Sequence, residues 1–232
     1  MVSVNAEEVK VVTEYLTPYQ VKNADGSLGG FSTEVVKAIF KQANITPHFV
    51  VMPWARAYEV AKSEKNTMIF SIARTEERDE LFHWLGGLTK EKLYFWGLKK
   101  NFSKAINNIS QLKNFHIAAS RNSNISQYLL KENFNNIYFI TVEEQSMKMF
   151  YSNRIDLLIE TELNIKYRTE KLGFDFNKMR KLIAIDELNN DLSIAMNLQS
   201  DLQLVLQLQQ AYSEIKQKGI IKSLKKKWSI PH

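Results

Sequence analysis

The sequence predicts an α/β protein of two βα lobes joined by two extended crossings, each lobe a mostly parallel sheet flanked by helices. Three observations carry that expectation. Short apolar, strand-like runs alternate with amphipathic helical segments, the pattern of parallel sheets covered by helices. Two further strand-like stretches, residues 93–99 and 192–196, stand where the chain is expected to pass between lobes and back. A chain of 232 residues at 44% hydrophobic is also long enough for two cores. The expected division is 1–96 for lobe 1, 97–194 for lobe 2, and a C-terminal segment 195–232 that returns to lobe 1.

Residues 9–13 read as the first strand, with Glu14 and Tyr15 at its exit. Pro18 and Tyr19 turn the chain, and Asp25-Gly26 makes a tight turn between Val21 and Leu28. Gly29-Gly30 lets the backbone pass close to a neighbour before Ser32 or Thr33 caps a helix. That helix carries Val35, Val36, Ile39, Phe40 and Ala43 at helical spacing and ends near Asn44. Residues 48–52 form a strand, Pro53-Trp54 breaks it, and 56–62 make a short helix. Residues 67–73 are β-rich and short enough for a buried strand. Thr75 is placed to cap the turn that follows, with Glu76 and Glu77 at its dipole-favoured start. Arg78, one turn in, points back toward the strand's carboxyl end, where open α/β sheets bind ligands. Its guanidinium offers a fork for a carboxylate there, or else pairs locally with Glu76 or Glu77 at the surface.

Beyond a polar stretch at 100–108, strands are expected at 115–119, 137–142 and 155–160. Ser123 caps a helix through Tyr128, Leu129 and Leu130; further helices cover 143–151 and 162–171, the latter stopped by Gly173. Ile183 and Ile185 mark another strand. Ser200 with Gln203 reads as a capping box opening a long helix to Lys218, stopped by Gly219.

Thr75-Glu76-Glu77-Arg78 followed by Leu81-Phe82 resembles the T-x-E-R…F signature of the family 3 extracytoplasmic solute-binding proteins, the polar amino acid receptors of ABC importers. Upstream, Thr13-Glu14, Pro18-Tyr19, Asp25-Gly26, Gly29-Gly30-Phe31 and Glu34 resemble that family's opening. Downstream, Ile117-Ala118-Ala119 with Arg121-Asn122-Ser123 resembles its second-lobe strand and turn, and 109–114 the short helix before them. The resemblance covers nearly the whole chain and implies a type 2 periplasmic binding fold.

It also implies a ligand set. Arg78, Ser71 and the backbone of Ala73 would hold a carboxylate, Ala73 standing where the family usually has Thr. Trp54 would stack on the ligand, against the alternative of a core aromatic. Ser120, Ser123 and Asn124 match a loop offering its helix N-terminus to an anion, with Asn122 where Gly is usual. Glu160, followed by Thr161, stands near the position of an amino-group acceptor, or else is a strand-end Glu in water. Glu14 is a second acidic candidate, and Tyr19 joins the set from the Pro-aromatic step. Arg56, outside the family pattern, is either a solvated helix residue or a second cation favouring an acidic ligand.

Other classes lose ground on composition. No apolar run approaches the roughly 18 residues of a membrane span. No signal-like segment opens the chain, so any secretory signal is expected to have been removed. There are no cysteines, and His48, His83, His116 and His232 are scattered singly, so no metal site is expected. No phosphate loop, nucleophile elbow or dinucleotide fingerprint is present, and no cofactor is expected. The net charge of +6 is dispersed; its densest cluster, Lys222, Lys225, Lys226 and Lys227 beside Trp228, reads as a solvated helix face rather than a nucleic-acid surface.

The expected function is reversible binding of a small amino acid or related carboxylate in a hinged cleft between lobes. A monomer in the periplasm would then deliver the ligand to the membrane subunits of an ABC transporter. A ligand-sensing module of a signalling system would use the same pocket. A dehydratase-like enzyme is the remote third reading, with Glu160 or Glu14 as its general acid.

Overall fold

The computed structural model describes residues 9–189 and 191–231. The opening eight residues of the expected lobe 1 and His232 of the C-terminal segment lie outside the described residues. The chain divides into two compact units, one continuing to Lys90 and resuming at Asp191, the other beginning at Glu91. It therefore leaves the first unit once and returns once. Both exchange points fall a few residues before the expected 96 and 194.

Unit 1 contains β1 (Val9–Thr13), β2 (Val21–Lys22), β3 (Leu28–Gly29), α1 (Phe31–Ala43), β4 (Pro47–Val51), α2 (Trp54–Ser63), β5 (Thr67–Ala73), α3 (Glu76–Asp79) and β6 (Phe82–Lys90). Unit 2 contains β7 (Leu93–Leu98), β8 (Ile117–Ser120), α4 (Asn124–Lys131), β9 (Ile137–Ile140), α5 (Glu143–Tyr151), β10 (Leu157–Thr161), α6 (Glu162–Lys171) and β11 (Met179–Ile185). The chain then returns to unit 1 through β12 (Asp191–Asn197), α7 (Leu202–Gln217) and α8 (Ile220–Lys227).

The sheet of unit 1 has the order β4-β1-β5-β12-β6, and that of unit 2 the order β11-β7-β10-β8-β9. In unit 1, β1 runs parallel to β4 and β5, whereas β12 is antiparallel to both β5 and β6. In unit 2, β8 is parallel to β9 and β10, whereas β7 is antiparallel to β10 and β11. The expected mostly parallel sheets are thus mixed. The expected crossings are full sheet members: 93–98 pairs only inside unit 2 and 191–197 only inside unit 1. Strands this apolar bury best between two neighbours, and each is taken up by one sheet.

Period-2 alternation explains the core of unit 2. Leu93 and Phe95 of β7 and Leu157 and Ile159 of β10 enter one apolar cluster, with Leu112, Ile117 and Leu129. Trp96, Leu98 and Leu158 enter the cluster on the other side, with Met147, Phe150 and Ile165. A sheet covered on both faces reads as a continuous apolar run, as these strands do.

Two local expectations are corrected, and one strand is added. Gly30, with φ 103°, caps α1, and Ser32 and Thr33 lie buried in its first turn. The cap needs glycine, because a Cβ there would sit 2.4 Å from the Tyr19 carbonyl oxygen. Asp201 caps α7, its Oδ1 accepting from the N–H groups of Gln203 and Leu204; the Ser200 hydroxyl instead accepts from Asn66 N at 3.1 Å. Strand β6 was not expected at all. Gly86 and Gly87 interrupt its pattern, and a Cβ on Gly86 would stand 2.2 Å from the Tyr212 ring of α7. The Tyr212 hydroxyl donates to the Gly87 carbonyl at 2.7 Å, locking helix to strand.

Candidate functional site

The site in unit 1 begins with an irregularity at the carboxyl end of β5. Phe70 pairs with Ile194 and Ile72 with Ser193, leaving Ser71 unmatched as a bulge with φ 55°. Bulges re-aim side chains where a ladder ends, and a left-handed Ser is uncommon. The Ser71 hydroxyl is buried, with no hydrogen-bond partner among the described residues. Two residues on, Ala73 ends the strand.

Its carbonyl accepts a hydrogen bond from Arg78 Nη1 at 3.0 Å. Arg78 sits in the single turn α3 and is only 1% exposed, so it does not lie at the surface, while the charge of Glu77 from the same turn acts on it. The turn closes through Arg78 N donating to Thr75 O at 3.0 Å, while the Thr75 hydroxyl makes no cap bond, contrary to expectation.

Two rings lie against the arginine. The guanidinium carbon lies 5.0 Å from the ring centre of Tyr58 and 5.6 Å from that of Trp54. Trp54 opens α2 and Tyr58 follows at i+4, so the same helix face carries both. Their rings stack with centres 5.9 Å apart at 23°. Burial pulls the Arg78 guanidinium below its usual range, and charge and hydrogen-bond interactions with Tyr58, with the charge of Glu77, partly offset that; an arginine remains charged throughout. Tyr58 was missed in the sequence, although its i+4 spacing from Trp54 was the available signal.

Trp54 itself is 7% exposed and belongs to the core cluster with Ala57, Ile69, Ile72 and Phe82. Its indole N–H has no partner among the described residues. The ring is therefore both a core residue and a neighbour of the arginine. The other unit 1 candidates lie on β1, α1 and α2 or next to them. Tyr19 is buried and packs edge-on against Phe31 at the start of α1. Glu14 is half-buried just past β1, and Arg56 is exposed on the first turn of α2.

In unit 2 the loop after β8 bends at Asn122, whose φ of 59° is the left-handed conformation that glycine would take. Ser123 then caps α4: its hydroxyl accepts from Ser126 N at 3.0 Å and donates to the Ser120 carbonyl at 2.7 Å. Asn124 is the helix's first residue, with Ser120 at the strand end behind it. The Thr161 hydroxyl is likewise occupied, accepting from Asn164 N at 3.1 Å to cap α6.

Glu160 departs from expectation. Neither in water nor presented as an open acceptor, its carboxylate is bonded by Arg168 of α6, and both side chains are at least nine-tenths buried. Arg168 Nη2 also donates to the Ser146 hydroxyl of α5 at 2.9 Å. The sequence gives no local signal for Arg168, which reaches back from two turns along α6. Among the described residues no group of three metal-ligating side chains is present, and no helix is long and apolar enough to cross a membrane.

A family model for bacterial extracellular solute-binding proteins, family 3, matches residues 9–231. No curated protein matches the chain by sequence. Among solved structures, a histidine kinase sensor domain with similarity to periplasmic binding proteins superposes with a TM-score of 0.83 at 14% identity, covering 96% of each chain. An ancestral arginine-binding protein bound to arginine superposes at 0.82, with 18% identity and coverage of 95% and 97%. The GluR0 ligand-binding core from Nostoc punctiforme in complex with L-glutamate gives 0.80, 19% identity and coverage of 96% and 100%. At such identities the likeness shows the fold alone, that of the type 2 periplasmic binding proteins.

Proposed function

The chain belongs to the family 3 bacterial extracellular solute-binding proteins, and from that premise we propose that it binds a small amino acid or related carboxylate through Arg78. The observation that carries this reading is the buried guanidinium at the end of β5, walled by Trp54 and Tyr58 beside the Ser71 bulge. A fork held this way presents fixed donors to a carboxylate in a low-dielectric setting, where a charge-assisted pair is strong. Ser71 supplies a hydroxyl next to it. Ser120, Ser123, Asn124 and Thr161 of unit 2 stay in the proposed set on the family resemblance, and a ligand that binds one conformation better shifts the protein toward it.

Delivery to an ABC importer from the periplasm is the role this family membership supports. A second reading, ligand sensing for a signalling partner, is favoured by the likeness to a histidine kinase sensor domain. Both use the same pocket. The family and the structural relatives are binding proteins, and binding without turnover is the reading adopted.

The experiment is a thermal-shift screen of amino acids and small organic acids, followed by calorimetry. At a hundred times the dissociation constant, a cognate ligand adds about 2.7 kcal/mol of stability. Arg78→Ala should cost about 2–5 kcal/mol of affinity, because truncation strands the ligand's carboxylate. Circular dichroism of the variant should match the parent. Affinity within threefold of the parent would move the clamp elsewhere, with Arg56 the next residue to change.

A further inference from the structure

We propose that a groove at the C-terminal end of α8 binds a phosphate-type anion, free in solution or carried as the headgroup of an anionic lipid, through Lys222, Lys225 and Lys226. The proposal is independent of the Arg78 reading and lies wholly within unit 1.

The lysine cluster expected to be a plain solvated face borders an open groove of about 450 Å³. Lys222, Lys225 and Lys226 line it together with Ser223, Ser229 and Ile230, and no acidic residue does so among the described residues. Its form follows from how the helix ends. Ser229, with φ 54°, takes the left-handed conformation just past Trp228. The chain then folds back: Ile230 N donates to the Lys225 carbonyl at 2.9 Å and Ser229 N to the Lys226 carbonyl at 3.3 Å. This is a two-bond helix stop, and it leaves Ile230 buried beside the lysines. Positions 222, 225 and 226 are spaced i, i+3 and i+4, so one helix face carries all three.

The three charges lack direct counter-charges. None of these lysines makes an ion pair among the described residues, whereas the next one, Lys227, is held by both carboxylate oxygens of Glu34 at 2.8 Å. Lys225 is half-buried; burial pulls its ammonium below the usual range, and the charge of Asp191 only partly offsets this. The helix dipole at this end sets about half a negative charge against an anion, too little to outweigh three cations.

Phosphate chemistry fits this set best. Three ammonium groups and two hydroxyls offer donors to several oxygens at once, and lysine serves phosphate as a point charge. A lone carboxylate, with two oxygens and one charge, uses only part of the set. No aromatic ring lines the groove among the described residues, so a nucleic-acid base finds nothing there to stack on.

The test uses the full chain at low ionic strength and has two arms. Calorimetry follows inorganic phosphate and glycerol phosphate; sedimentation follows vesicles of phosphatidylcholine alone or mixed with phosphatidylglycerol. Saturable binding in the first arm alone assigns the groove to free phosphate, and binding to the phosphatidylglycerol vesicles alone assigns it to a headgroup. Lys222→Gln with Lys226→Gln, both exposed positions, should keep the folded spectrum and weaken the responding arm about tenfold or more. Lys100→Gln with Lys131→Gln removes the same charge from exposed positions of unit 2 and should weaken it less than about twofold. Equal losses in the two variants would mean that net charge alone attracts the anion, and the proposal would fall. Absence of binding to both kinds of vesicle and to phosphate at up to about 10 mM would overturn it as well.

Discussion

Among the described residues each unit buries one arginine, and the two differ in what surrounds them. Arg168 in unit 2 faces a carboxylate and a hydroxyl, Glu160 and Ser146, from its own chain. Arg78 in unit 1 has a carbonyl at 3.0 Å and the faces of two rings, with the charge of Glu77 also acting on it. Ring quadrupoles and carbonyl dipoles steady a cation without cancelling its charge, whereas a carboxylate cancels it. The downward pull of burial on Arg78 agrees: its surroundings do not fully replace water. The first arginine is tied to a carboxylate by a direct bond; around the second lie two rings, a carbonyl and the charge of Glu77.

The sharpest way to break this comparison is Arg168→Met. If the pair is a structural tie, removing the cation strands Glu160 in the interior and should cost about 3–5 kcal/mol in chemical denaturation. A loss below about 1 kcal/mol, the range of exposed pairs, would put Arg168 in the same class as a surface cation. The ring beside Arg78 comes next. Trp54 stacks on Tyr58 within the core cluster, so Trp54→Ala should cost about 3 kcal/mol of stability in addition to any loss of ligand affinity. Unchanged stability with lost affinity would make the ring purely a ligand platform.

The smallest effect concerns an exposed pair beside the buried one. Hydrogen bonds from Lys166 and Lys181 hold the Glu162 carboxyl down at about 2, from an ordinary 4.5. A depressed carboxyl contributes stability that is full above its unfolded value and disappears as pH falls through the folded one. The side chain is 44% exposed, so screening limits the contribution to about 0.5 kcal/mol. Glu162→Gln should show that deficit at pH 7, and parent and variant should converge as pH approaches 2. A deficit that persists unchanged at low pH would point to packing instead of charge.

Much of the fold was legible in the sequence because its elements are locally consistent. The first strand, the helix ended by Asn44 and the Ser123 cap all appear where propensity and spacing place them. What escaped depends on partners remote in the chain. β6 was hidden by Gly86, whose missing side chain makes sense only once Tyr212 packs against it. The antiparallel members of both sheets were hidden because periodicity reports burial and not strand direction. At the site, Arg78 was legible from its turn, but Tyr58 was overlooked and the partner of Glu160 could not be read locally. The Ser71 bulge, likewise, is a property of the β5–β12 register and not of residues 67–73 alone.

The position of β12 also orders the protein's synthesis. It lies between β5 and β6 in the sheet of unit 1, yet it is encoded after every strand of unit 2. A nascent chain emerging from the ribosome thus holds a complete strand set for unit 2 while unit 1 still lacks an interior strand. Until Asp191–Asn197 is made, the facing edges of β5 and β6 stay open, and open edges are where strands pair wrongly. Translation finishes the second unit before it can close the first.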